Sequence, residues 1–192
     1  MVLLVIRTHN IIIEYDGSFR MKGTQWMVVT GPPSSGKTTL IEALQAKGYL
    51  IGPEVARELI IECMQKNTSQ KIEVFQRQLL AITCRREHLL DTQQMIFFDR
   101  GIPDSIAYFK YNHLDIKDAI QASRFRHYKK VFYCEGLPVI HDEVRRETNA
   151  AAEQIGRLIL EAYRFLNYHP IILPVLSVEE RMHLILKNIG AS

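Results

Sequence analysis

One octapeptide, Gly31-Pro32-Pro33-Ser34-Ser35-Gly36-Lys37-Thr38, limits what this chain can fold into more than any other feature. It fits the pattern GxxxxGK[ST] and stands between the apolar run WMVVT and the amphipathic stretch TTLIEALQAKG, an order that reads strand, turn, helix. Gly31 and Gly36 let the backbone turn tightly enough for successive N–H groups to face one anion. The helix that starts near Gly36 adds the positive end of its dipole to the same place. The segment from Gly31 through Pro32, Pro33, Ser34, Ser35 and Gly36 to Thr39 is therefore the expected cradle of a nucleoside triphosphate. Lys37 reaches the β- and γ-phosphates, and the Thr38 hydroxyl is a ligand for Mg²⁺. ATP is the expected nucleotide, with GTP left open.

The rest of the chain agrees with that context. Short apolar runs at Trp26–Thr30, Tyr49–Gly52, Met95–Asp99, Lys130–Cys134 and Pro170–Val175 read as strands. Helical patterns fill the gaps at Lys37–Lys47, Glu54–Lys66, Lys71–Thr92, Asp104–Tyr111, Ile116–Arg126 and Thr148–Tyr168, and Val178–Asn188 closes the chain. Strands without strict alternation are buried on both faces, and helices between them imply right-handed crossovers and a parallel sheet. The expected fold is a three-layer α/β domain over residues 21–192, while Glu135–Glu147, with Gly136 and Pro138, reads as a mobile loop. Residues 1–20 read as a peripheral extension, an extra edge strand or hairpin, with Met21 as an alternative start.

Composition excludes more than it selects. At 192 residues, 47% hydrophobic and 23% charged, the chain is of ordinary globular make-up. A formal charge of +3 argues against a dedicated nucleic-acid surface. The basic run Arg124, Arg126, His127, Lys129, Lys130 reads as a solvated helix end. Three cysteines without CxxC spacing fit a cytoplasmic protein. No window offers the roughly 20 apolar residues of a membrane span, and the histidines have no metal-ligand spacing.

Further residues fit phosphotransfer. Met95–Asp99 is four apolar residues ending in a carboxylate, so Asp99 is the expected second Mg²⁺-side group; the plainer reading is a cap of the next helix, for which Asp104 competes. Glu54 and Arg57 follow the second strand, at the sheet edge where ligands bind in such folds. There Glu54 can take a proton from an attacking hydroxyl and Arg57 can bind phosphate, unless the two form a surface ion pair. Arg100, directly after Asp99, needs an anionic partner if buried, and transferred phosphate suits a guanidinium.

GPPSSGKTTL, GPEVARE and FFDRGIPDSIAY, in that order, are similar to the NadR-like AAA group of P-loop proteins, which includes the ribosylnicotinamide kinase module. The resemblance continues through YKKVFYCEGLP, HDEVRRETNAAAEQIGRLILEAYRFLNYHPIILP and SVEERMHLIL, roughly residues 26–189. It implies the nucleoside-kinase branch of the P-loop NTPase fold, with a five-stranded parallel sheet in the order 2-3-1-4-5. It also implies Glu54 as catalytic carboxylate, Asp99 and Arg100 as the metal and phosphate-orienting pair, and Arg145 or Arg146 as a lid arginine, Arg145 being preferred. Helices placed like Lys71–Thr92 line the acceptor pocket in nucleoside kinases, which makes Gln78 and Arg85 candidates, while Phe75, Leu79, Ile82 and Leu89 read as core. The implied activity is Mg²⁺–ATP-dependent phosphotransfer to a hydroxyl of a small, nucleoside-like acceptor. A nucleotide-gated regulatory or lipid- or protein-binding protein and a partner-dependent ATPase are the rival readings.

Overall fold

Each apolar run pairs with a partner far away in sequence. The computed structural model describes residues 4–8, 11–15, 23–52, 71–124, 127–136 and 143–191. Strands β1 (Leu4–Thr8) and β2 (Ile11–Tyr15) form an antiparallel hairpin of their own. The central sheet consists of β3 (Met27–Thr30), β4 (Leu50–Ile51), β5 (Ile96–Asp99), β6 (Lys130–Cys134) and β7 (Ile171–Leu173), in the order β4-β5-β3-β6-β7. All four pairings are parallel. Counted from β3, that order is 2-3-1-4-5.

The helices are α1 (Lys37–Ala46), α2 (Ile72–His88), α3 (Asp104–Tyr111), α4 (Lys117–Arg124), α5 (Glu143–Phe165) and α6 (Val178–Ile189). Side chains alternate across each strand and so supply two cores. Met27 and Val29 of β3, with Phe97 and Phe132, pack under Leu40 and Leu44 of α1 and Ile185 of α6. Val28, Phe98 and Val131 point the other way, onto Ala107 of α3 and Ile155 and Ile159 of α5. A third cluster joins Leu80, Ala81 and Cys84 of α2 to Phe109 of α3 and Ala119 of α4. Every β3 residue is buried, as a strand covered on both faces must be.

Three differences from the sequence reading matter below. Residues 143–147, expected in the mobile loop, are already helical in α5. Glu143-Val144-Arg145-Arg146-Glu147 holds strong helix formers and no Gly or Pro, and that propensity outweighs the charge density that suggested a loop. The expected helix Glu54–Lys66 lies outside the described residues. Of the two readings for the N-terminal segment, a hairpin forms, and it runs alongside α2. No helix among the described residues is long and apolar enough to cross a membrane.

Candidate active site

At the carboxyl end of β3 the chain turns through residues 31–36 into α1, and the turn is built from backbone conformations that most residues avoid. Gly31 has φ 142° and Gly36 φ 79°, while Ser34 accepts φ 59° with a side chain attached. A Cβ on Gly31 would collide with the Cys134 carbonyl of β6, so only glycine fits there. Lys37, 6% exposed, donates from Nζ to the Pro32 carbonyl at 2.5 Å and to Ser35 Oγ at 3.0 Å. Burial, reinforced by the nearby Arg100 cation, lowers its pKa from 10.5 to about 8.

Asp99 ends β5 beside the loop, and Thr38 Oγ1 donates to its Oδ2 at 3.4 Å. Burial pushes the Asp99 carboxyl up, against the pull of Arg100 and Lys37. Two hard oxygen donors that meet where a carboxylate is poorly solvated suit Mg²⁺. Among the described residues no cluster of three His, Cys, Asp or Glu could hold a metal. A cation here would complete its shell with phosphate oxygens and water, as Mg²⁺ does at phosphate sites.

Arg100 follows with φ 70°. Its Nη1 donates to the Gly31 carbonyl at 3.1 Å and to Asp104 Oδ1 at 3.0 Å, and its guanidinium lies 5.3 Å from the centre of the Tyr108 ring. Asp104 does not cap α3; Pro103 occupies that position and makes no side-chain cap bond. Asp104 is instead a buried acceptor, 3% exposed. It takes hydrogen bonds from Thr30 Oγ1 at 2.6 Å, the Gly101 amide at 3.1 Å and the Tyr163 hydroxyl at 2.7 Å, besides Arg100. The anionic partner that Arg100 required is thus supplied by its own chain.

A cavity of about 340 Å³ runs from this group to α2. Its floor is Ser34, Lys37 and Thr38 with Asp99 and Arg100, and its far wall is Phe75, Gln76, Leu79, Arg86 and Glu87. Glu87, 2% exposed, is held by the Tyr128 hydroxyl at 2.8 Å. Here the sequence reading needs correction. Gln78 and Arg85 do not line the cavity, and Arg85 is exposed. At 100° per residue they fall on the side of α2 opposite Gln76 and Thr83, which do line it. Phe75 and Leu79, expected as core, face the cavity, and Leu89 is 76% exposed. Thr39 is exposed beside the loop, outside the cavity lining. Glu54 and Arg57 lie outside the described residues, as does the Arg145 side chain, whose backbone sits in the first turn of α5.

Sequence reasoning missed Asp104 as a hub, Gln76, Arg86 and Glu87 as lining, and Arg181, which lies behind the loop, donating to the Ser35 carbonyl at 2.6 Å. A signal for Arg181 was present: it is a cation in the apolar stripe Val178, Met182, Ile185 of α6.

Comparison with known proteins gives the setting. A family model described as an AAA domain matches residues 26–181. No curated protein matches the sequence. Among solved structures, deoxyadenosine kinase from M. mycoides aligns with TM-score 0.61 at 18% identity, over 87% of this chain and 100% of that one. Thymidylate kinase from Ehrlichia chaffeensis aligns with TM-score 0.65 at 12% identity, over 88% and 100%. A NadR protein in complex with NR aligns with TM-score 0.63 at 16% identity, over 87% of this chain and 50% of the NadR chain. With the strand order above, these likenesses establish the P-loop NTPase fold in the form nucleoside and nucleotide kinases use.

Proposed function

The chain belongs to the AAA-domain family, and we propose that within it this protein is a Mg²⁺–ATP-dependent kinase of a small, nucleoside-like hydroxyl compound. The observation that carries the reading is the single cavity that joins Lys37, Thr38, Asp99 and Arg100 to the half-aromatic, half-polar wall of α2. Solved relatives of this fold include kinases of a nucleoside and of a nucleotide, and a NadR protein holding NR, which supports an acceptor of that kind.

In this reading the loop amides and Lys37 hold the triphosphate, and Lys37 exchanges its bonds to Pro32 and Ser35 for phosphate oxygens. Thr38 and Asp99 would hold Mg²⁺, which supplies charge neutralisation to the phosphates. Arg100, braced by Asp104 and Tyr108, presents its remaining N–H groups to the transferring group. Glu54 accepts the proton of the acceptor hydroxyl, and Arg145 closes over the phosphates and excludes water. Phe75 and Gln76 give the acceptor an aromatic face and a hydrogen-bonding edge.

The test is incubation of the purified protein with ATP, Mg²⁺ and a panel of nucleosides, nicotinamide riboside included, with mass detection of product. One phosphorylated nucleoside is expected. Glu54→Gln should lower turnover by about a hundredfold or more while nucleotide affinity holds. Intact ATP binding with no product from any acceptor would refute the kinase reading and favour a nucleotide-gated binder.

The depressed pKa of Lys37 gives a second check. Near pH 8 the free ammonium is half deprotonated, and phosphate restores its charge, so binding must draw a proton from buffer. Calorimetry at pH 8.5 in buffers of different ionisation enthalpy should show uptake of about 0.7 proton, falling to near zero at pH 6.5. Equal uptake at both values would remove Lys37 from phosphate contact.

A further inference from the structure

We propose that Arg181 is a positioning residue of the phosphate loop, fixing the peptide between Ser35 and Gly36 so that the Gly36 amide faces the polyphosphate. The inference rests on the loop being a triphosphate site, and adds a residue from the far end of the chain.

Arg181 stands where neither helix propensity nor packing favours it. The capping box Ser177–Glu180 starts α6, and Arg181 falls in the first turn, where a cation opposes the helix dipole. It is 3% exposed, in the stripe that elsewhere feeds the core. Its guanidinium is received by backbone carbonyls alone. Nε donates to Pro174 at 2.7 Å, Nη1 to Ser35 at 2.6 Å and Nη2 to Glu135 at 3.2 Å. These oxygens come from the turn after β7, the phosphate loop and the end of β6, so one rigid fork ties three segments together.

The consequence for ligand binding follows from peptide geometry. A trans peptide is planar, with its carbonyl and the next N–H pointing in opposite directions. Drawing the Ser35 oxygen toward α6 therefore aims the Gly36 hydrogen away from α6. Gly36 holds this orientation at φ 79°, where a side chain would be strained. Arg181 does not line the cavity, so it acts through this peptide. Among the described residues no carboxylate neutralises the buried guanidinium. A polyanion in the loop would be the charge it lacks.

The experiment uses the full chain labelled with ¹⁵N-glycine, because ten glycines give an assignable spectrum. Tripolyphosphate is the probe, with affinity measured in parallel by calorimetry. In the unsubstituted protein the Gly36 amide should move strongly downfield on binding. Arg181→Met should weaken tripolyphosphate binding by about tenfold or more and remove most of that shift. Arg181→Lys, which keeps the charge but not the fork, should recover part of the affinity and less of the shift. If both variants bind with unchanged affinity and an unchanged Gly36 shift, the proposal is overturned and the loop reading stands. If the unsubstituted protein fails to bind tripolyphosphate, the loop reading falls and takes the proposal with it. Should Arg181→Met not fold, Arg181→Lys decides alone: behaviour identical to the unsubstituted protein would refute the positioning role.

Discussion

Lys37→Met should abolish triphosphate binding and, at neutral pH, make the ligand-free protein more stable. Both effects come from one buried ammonium. Its pKa falls from 10.5 to about 8, so at pH 7 the fold carries a charge that it would rather not bury. A shift of that size corresponds to roughly 3 kcal/mol. The lost bonds to Pro32 and Ser35 reduce the gain, leaving an expected rise of about 1–2 kcal/mol in urea unfolding at pH 7. The pH dependence fixes the sign. Between about pH 8 and 10.5 the unfolded chain holds a proton on Lys37 that the folded chain has lost, so stability contributed by this site rises with pH across that window. In Lys37→Met that rise should vanish, and the two proteins should converge in stability toward pH 10.5. A variant that is less stable than the parent at pH 7, or that keeps its nucleotide affinity, would show that Lys37 is a structural anchor. The trade is the usual one at binding sites, where a group held ready for a ligand destabilises the molecule that lacks it.

The phosphate loop was legible from sequence because everything that defines it is local. Strand, glycines, lysine and helix fall within residues 26–46, and each conformational demand is met by the residue that stands there. The parallel sheet was legible for a similar reason, since unbroken apolar runs between helices leave few other arrangements. The strand order was carried by the resemblance and agrees with the pairing observed. What local pattern could not supply was rotational phase and distant partners. On α2 the residues Phe75, Leu79, Ile82 and Leu89 mark an apolar stripe, but not whether it faces core or cavity. The structure turns Phe75 and Leu79 to the cavity, so its polar lining is Gln76 and Arg86, each near the position expected but on a different face. Asp104 reads as a helix cap in sequence because the partners that define it, Thr30 and Tyr163, are 74 and 59 residues away. Arg181 finds Ser35 across 146 residues, a contact no motif spacing encodes.

Asp104→Ala should be the most destabilising substitution in the site, by about 3–5 kcal/mol in chemical unfolding. The carboxylate is 3% exposed and accepts from Thr30, Arg100, Gly101 and Tyr163, so its removal leaves three buried neutral donors and one cation without their acceptor. Asp104→Asn separates charge from shape. The amide oxygen can still accept from one pair of donors, but its NH₂ group faces the other pair, and the countercharge of Arg100 is gone. A loss of about 2–3 kcal/mol is expected for it, with turnover falling further than stability alone explains, because Arg100 loses the brace that orients it. Tyr163→Phe removes one donor and leaves the carboxylate its other three, so about 1 kcal/mol is expected. Combining Tyr163→Phe with Asp104→Ala should then be less than additive, since the hydroxyl in Asp104→Ala has already lost its acceptor. Full additivity in that cycle would mean that Tyr163 and Asp104 contribute independently, and the buried network would no longer account for how the fold holds Arg100 against the phosphate loop.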